Sequence, residues 1–417
     1  VRYLKATLLF GSIAAVLTAA LFAAGVFRGL DQTLYAVLKS AAASPVQRPV
    51  VQYLAIALFA FGIAWTTIDI GKVPLKVVVA VAALLEIIAA VWVLNLYHFY
   101  FSPFASGVAL ALSFTGGLFY SHSDAGRRKR VLHSIFGDRI SQKAFTDLVN
   151  SNKPLNFDGE MREATVFVCE IFNHNELMDT LPVTDYVAMN NLFLRTGANF
   201  LVERGAYLDE CDGESLRVIF GTPVENPRHA AVACASAIEL VTRLENLNRE
   251  CDGRWHKTFD FRIGLSAGEM VAAAYGSDRL GTYSVAGEAV EFGRRLCSAN
   301  MIYGSRILIG SRVFELAVDS IEVRPIEMLH IREDRSPEEV YELLALKNVL
   351  SEDALQRRDL FWKGIVFFRE QRWDEALEHF HASLSQNGFD GPVEFYIRRT
   401  EQVRDGMPML EWSPTSF

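Results

Sequence analysis

Charge is nearly absent from the first 122 residues of this 417-residue chain, and that absence limits the fold more than any motif. Arg2, Lys5, Arg28, Asp31, Lys39, Arg48, Asp69, Lys72, Lys76 and Glu86 are the only Asp, Glu, Lys or Arg there, ten of 90 in the chain. Four apolar stretches fill the region, at about 6–27, 50–68, 77–97 and 102–121. Each is close to the twenty residues a helix needs to cross a bilayer. The remaining residues carry 80 charges and read as ordinary globular protein. A soluble enzyme, a disordered chain and a many-pass transporter are excluded, and the spans carry little polar machinery for moving a solute. Net charge divides the same way, +4 before residue 123 and −12 after it. An acidic domain without a basic stripe argues against nucleic acid as a partner.

Lys and Arg place the sides. Arg2 and Lys5 precede the first span, Lys72 and Lys76 lie between the second and third, and Arg127, Arg128, Lys129 and Arg130 follow the fourth. This predicts both termini and the folded domain on the cytoplasmic side of the plasma (inner) membrane. Arg28, Lys39 and Arg48 in the 28–49 loop run against that bias, and Leu30 to Ala43 is expected as an interfacial helix. The turn around Ser102 and Pro103 should make a tight hairpin of the last two spans. Glu86, mid-span, is expected to pack helices within the bundle, or else to serve function. The chain opens on Val1, so its true start is expected upstream or at an alternative start, and the first stretch is too long for a cleaved signal peptide. Cys169, Cys211, Cys234, Cys251 and Cys297 have no CxxC spacing and read as reduced thiols.

Residues 123–162 are expected as a juxtamembrane helical linker. Its stripe of Val131, Leu132, Ile135, Phe136, Ile140 and Phe145 would pair with a second copy or pack on its own domain. From Glu163 the pattern becomes strand at 164–171, helix at 184–204, hairpin at 206–221 and helix at 228–250. A strand pair at 259–276 follows, then strand, Gly turn and helix at 283–300. The order β-α-β-β-α-β predicts an α+β, ferredoxin-like domain, taken over 163–345.

Three blocks within it, "GEMREATVFVCEI", "GAYLDECDGESLRVIFGTP" and "RIGLSAGEMVAAAYGSDRLGTYSVAGEAVEFGRRL", resemble the class III adenylyl/guanylyl cyclase catalytic domain in order and spacing. The resemblance covers about 160–345. It implies a homodimer with sites across the subunit interface, purine nucleoside triphosphates as substrate, and two Mg²⁺ or Mn²⁺ ions. The product would be a 3′,5′-cyclic nucleotide plus pyrophosphate. In such chemistry metals lower the pKa of the attacking 3′-oxygen, and donors steady the phosphorus.

The resemblance also assigns residues. Glu170 and Glu214 stand where the family has metal-binding Asp, each one methylene longer, and Ile171 would lend a backbone carbonyl. Glu210 and Thr282 match the base-reading pair, and a carboxylate accepts from guanine N1–H and N2–H, so GTP is favoured over ATP. Glu291 replaces a donor Asn and Arg295 matches the transition-state Arg. Glu291 and Arg295, four apart, are expected to pair, with Arg294 pointing elsewhere. Four altered positions, all now Glu, suggest one coherent alternative site. Two functions stay open: an active membrane-anchored cyclase, or a silent dimeric pseudo-cyclase that binds nucleotide or cation and transmits signals.

Residues 354–403 carry Trp362, Gly364, Phe367, Trp373, Ala376, Phe380 and Ala382 at the spacing of one tetratricopeptide-like helix pair. One repeat cannot bury its own face, so the tail should pack on the cyclase-like domain or a protein partner.

Overall fold

A computed structural model describes residues 4–37, 46–47, 49–70, 73–97, 99–123, 131–151, 155–277, 280–329, 337–384 and 389–406. The chain divides into two compact units, Val1–Val131 and Leu132–Phe417.

The first unit is helical: α1 (Leu4–Ala23), α2 (Arg28–Val37), α3 (Pro49–Asp69), α4 (Val73–Leu96) and α5 (Pro103–His122). All but α2 are long and apolar enough to cross a membrane. Small residues let them approach closely. Ala60, Ala64, Ala105 and Ala109 are buried, and a Cβ on Gly117 would lie 2.9 Å from Thr67. Two short strands, β1 (Val46–Gln47) and β2 (Phe99–Tyr100), pair in parallel. The expected interfacial helix begins at Arg28 and is described to Val37; Arg2, Lys39, Arg48 and the 127–130 basic cluster lie outside the described residues. Glu86 departs from expectation. It is exposed on the outward face of α4, between the exposed Leu85 and Ile88, and packs no helices within this unit. Lys76 is the buried charge on that helix, its Nζ donating to Ser121 Oγ at 2.8 Å.

The second unit opens with helix at 131–136 and α6 (Gln142–Asn150), so the linker is not one helix. Gly137, at φ +32°, ends the first piece, and the Ser141 hydroxyl caps the second by accepting from Ala144 N–H. Then come β3 (Glu160–Ile171), α7 (His174–Thr180), α8 (Val183–Glu203), β4 (Tyr207–Cys211), β5 (Ser215–Phe220) and α9 (His229–Trp255). These are followed by β6 (Phe261–Ser277), β7 (Leu280–Ala286), α10 (Glu288–Tyr303), β8 (Ile307–Gly310), α11 (Ser311–Ala317), β9 (Ile321–Leu329) and β10 (Glu338–Leu346).

The strands form one mixed sheet in the order β4-β5-β3-β6-β8-β10-β9, with β7 on β6. β4-β5-β3-β6 are mutually antiparallel, the ferredoxin-like arrangement expected from the sequence. The 259–276 segment is one long strand rather than a strand pair; its partner β7 comes from 280–286. Gly264 sits mid-strand, where a Cβ would run into Gly293 O and Cys297 N of α10.

Alternation in β3 makes two cores. Phe167, Cys169 and Ile171 face α8 and α9, whereas Ala164, Val166 and Val168 face α10 and the linker. Leu132, Phe136, Ile140 and Leu148 join the second core, so the linker stripe packs on its own domain. The tail is three helices, α12 (Glu352–Arg369), α13 (Trp373–Ser383) and α14 (Gly391–Arg404). Its Phe361, Phe368, Phe380 and Tyr396 share a core with Phe292, Leu296, Tyr303 and Ile326. The aromatic stripe is therefore packing, and the tail closes over the sheet. Arg324 fastens it, bridging Glu342 (2.6 Å) and Asp390 (2.8 Å) over the Phe361 ring.

Candidate functional site

Antiparallel pairing gathers the acidic positions at one end of the sheet. Glu170, near the end of β3, lies opposite Ser215 of β5 and Arg262 of β6. Glu214 sits in the β4–β5 turn, which Asp212 shapes by accepting from Ser215 N–H (2.9 Å) and Oγ (2.8 Å). Asn190 of α8 anchors that turn, donating to Gly213 O at 2.7 Å. Ile171 N–H donates to Glu214 O at 2.9 Å, so the two metal-assigned segments are in register.

Two of the groups assigned to metal, the Glu214 carboxylate and the Ile171 carbonyl, are already engaged. His174, at the start of α7, places Nε2 2.8 Å from Glu214 Oε2 and Nδ1 3.2 Å from Ile171 O. One imidazole thus spans a carboxylate and a carbonyl that the resemblance assigns to metal. Glu210 is held twice, by Arg217 Nη1 at 2.6 Å and Arg294 Nη2 at 2.8 Å. Arg294 therefore points toward the site, contrary to the helical-wheel expectation. A register shift between Leu208 and Glu210 re-aims the strand there, and Asp209 takes Arg217 Nε at 2.7 Å. Burial raises the Glu170 carboxyl above its ordinary value; Arg294 opposes this, and Glu214, Asp212 and Glu210 add to it.

Thr282 lies on β7 opposite Tyr275. The Tyr207 hydroxyl donates to Tyr283 O and the two rings meet edge-on at 5.5 Å, so β7 is drawn to the β4 strand that carries Glu210. Ser284 shares the Thr282 face by two-residue alternation. Glu291 is exposed on the first turn of α10, with the half-exposed Arg295 one turn on.

Glu214 and the Ile171 carbonyl, two of the three groups assigned to metal, both meet His174 in this arrangement. Among the described residues no three His, Cys, Asp or Glu side chains are spaced to hold an ion. The larger described cavity, about 680 Å³, also lies elsewhere: Glu163, Glu269, Glu288, Arg312 and Glu338 line it, and none of the seven predicted site residues does. Sequence reasoning missed His174 and Arg217, and pointed Arg294 away from the site. His174 stands three residues after Ile171 at a helix start, a signal visible only once the hairpin is folded against it.

No family model matches the chain. Over 196 residues, 46% of this chain and 32% of the relative, it is 26% identical to an uncharacterized protein of Mycobacterium tuberculosis (strain ATCC 25618 / H37Rv). Over 185 residues, 44% of this chain and 28% of the relative, it is 22% identical to adenylate cyclase 1 of Rhizobium meliloti (strain 1021). Over that share the chain is similar in sequence to a protein named as an adenylate cyclase. The chain spans about a third of the length of the curated relatives it matches. Two solved structures are similar to the cyclase-like unit. The guanylyl cyclase Cya2 has 23% identity and TM-score 0.43, over 46% of this chain and 98% of that one. The adenylyl cyclase CyaB from P. aeruginosa has 22% identity and TM-score 0.43, over 46% and 100%.

Proposed function

We propose that the chain is a membrane-anchored signalling protein in which a dimeric, nucleotide-responsive cyclase-like module operates with its cyclising chemistry switched off. The observation that carries this is His174, which engages the Glu214 carboxylate and the Ile171 carbonyl together. Capture of Glu210 by Arg217 and Arg294 supports it, since the group assigned to a purine edge is already satisfied. In this reading the four apolar helices insert in the plasma membrane and place both termini in the cytoplasm. The linker (123–162) connects them to the cyclase-like domain (163–345), and the tetratricopeptide-like tail (354–403) offers its outer face to a protein.

A second reading is favoured by the acids kept at Glu170 and Glu214 and by Arg295. It is an active purine nucleotide cyclase, with Glu170, Glu214 and Ile171 O on Mg²⁺ or Mn²⁺. Glu210 and Thr282 would select GTP, and Arg295 would act beside Glu291 on the triphosphate. Membranes containing the full chain, given ATP or GTP with Mg²⁺ or Mn²⁺, separate the two. The silent module forms no cyclic nucleotide under any pairing. Product that disappears in Glu170→Ala overturns it and selects the cyclase.

A further inference from the structure

One buried acid in the first unit has no role in the proposed function, and it lines a cavity. The cavity, about 230 Å³, opens where α1 ends and α3 and α5 begin. Gly25, at φ +78°, turns the chain so that Phe27 is buried with Ile56 and Ala105 and α2 follows across that end. Phe22, Phe27, Tyr53 and Tyr100 contribute walls, Asp31 faces in and Arg28 stands exposed at the rim.

Two polar side chains near the cavity are fully engaged. Gln52 Nε2 donates to Ser102 O (3.1 Å) and Ser106 Oγ (3.2 Å), and its Oε1 accepts from Ser102 N–H (2.8 Å). Tyr35 donates to Phe101 O (3.0 Å) and accepts from Phe101 N–H (3.1 Å). Asp31 is 0% exposed; its Oδ2 accepts from the Tyr100 hydroxyl, but Oδ1 is buried without a hydrogen-bond partner among the described residues. Burial raises the Asp31 carboxyl, with the Tyr100 and Ser102 hydroxyls opposing it. A buried carboxylate oxygen lacking a donor is costly, so a guest that donates there gains from a cost already incurred.

Shape and chemistry choose the guest. Aromatic faces attract an organic cation. The volume exceeds the roughly 150 Å³ that holds benzene and falls below the roughly 300–1,000 Å³ of usual ligand pockets. A hard metal ion needs several oxygen ligands, and no such group occurs among the described residues. Arg28 is exposed at the rim, whereas Asp31 is wholly buried.

We propose that this cavity binds a small organic primary ammonium, its N–H donating to Asp31 Oδ1 and its hydrocarbon body resting among Phe22, Tyr53 and Tyr100. The test uses the full chain in lipid nanodiscs, with calorimetry or ligand-observed NMR and no nucleotide, so its failure leaves the cyclase-like reading untouched. The probes are benzylammonium, isobutylammonium and the neutral isostere benzyl alcohol. An ammonium should bind, benzyl alcohol should bind at least about tenfold more weakly, and Asp31→Asn should lose at least about tenfold. Equal binding of benzyl alcohol overturns the proposal, as does full affinity in a folded Asp31→Asn chain. Absence of binding by either ammonium up to about 10 mM does the same. If Asp31→Asn does not fold, the contrast between charged and neutral probes on the unsubstituted chain decides.

Discussion

Two places in the second unit use arginine–carboxylate pairing to opposite ends: one arginine between two carboxylates at the tail seam, one carboxylate between two arginines at the candidate site. At the tail seam, Arg324 lies under the packed α12–α14 helices with only 9% of its side chain exposed, between Glu342 and Asp390. At the candidate site, Arg294 and Glu210 meet with 45% and 39% of their side chains exposed. A buried pair has no water to replace a lost partner, whereas an exposed pair exchanges its partner for solvent at little cost. The seam is a fixture and the site is a latch.

That contrast breaks most visibly at Arg324. Arg324→Ala leaves Glu342 buried and uncompensated, and should cost about 3–5 kcal/mol in chemical or thermal unfolding. A loss under about 1 kcal/mol would make the seam no different from the surface. His229 gives a smaller, pH-dependent effect. Its ring is buried against Thr165 Oγ1 at 2.7 Å, and burial holds its pKa below the ordinary 6.5. As pH falls below 6.5 the unfolded chain takes up a proton that the folded chain resists, so stability should decline on acidification through that value. His229→Gln should flatten that limb of a pH–stability curve; an unchanged slope assigns it to other groups. Arg294→Ala should be the mildest, about 0.5 kcal/mol or less in stability. It should nevertheless leave Glu210 held by Arg217 alone and change binding of GTP more than of ATP, measured by equilibrium binding. Equal change for both bases removes Glu210 from base reading.

Element order was largely legible because period-two and helical patterns are local. The β3 alternation and the α9 spacing of Ala233, Ala237, Leu240 and Leu244 announce their faces directly. What escaped was non-local. Nothing local says why Gly264 carries no side chain until α10 is laid against it, and Arg294 resembles a solvent-facing neighbour until a hairpin 84 residues away presents Glu210. The resemblance put Glu170 and Glu214 at one site, but only the folded turn brings His174 onto Glu214. Glu86 shows the converse: an apolar helix reveals its depth, not which side of it meets the bundle.

Arg139 deserves a mechanical reading. Leu208 N–H donates to its carbonyl at 2.8 Å, its guanidinium donates to Asp209 O at 2.8 Å, and its neighbour Phe136 packs on Tyr207 and Tyr283. The segment entering the domain is thus stitched to the strand bearing Glu210, two residues from that acid. Torque or tension arriving at Leu132 has two outcomes: those stitches tear, or the edge strand travels with them and loosens the grip of Arg217 and Arg294.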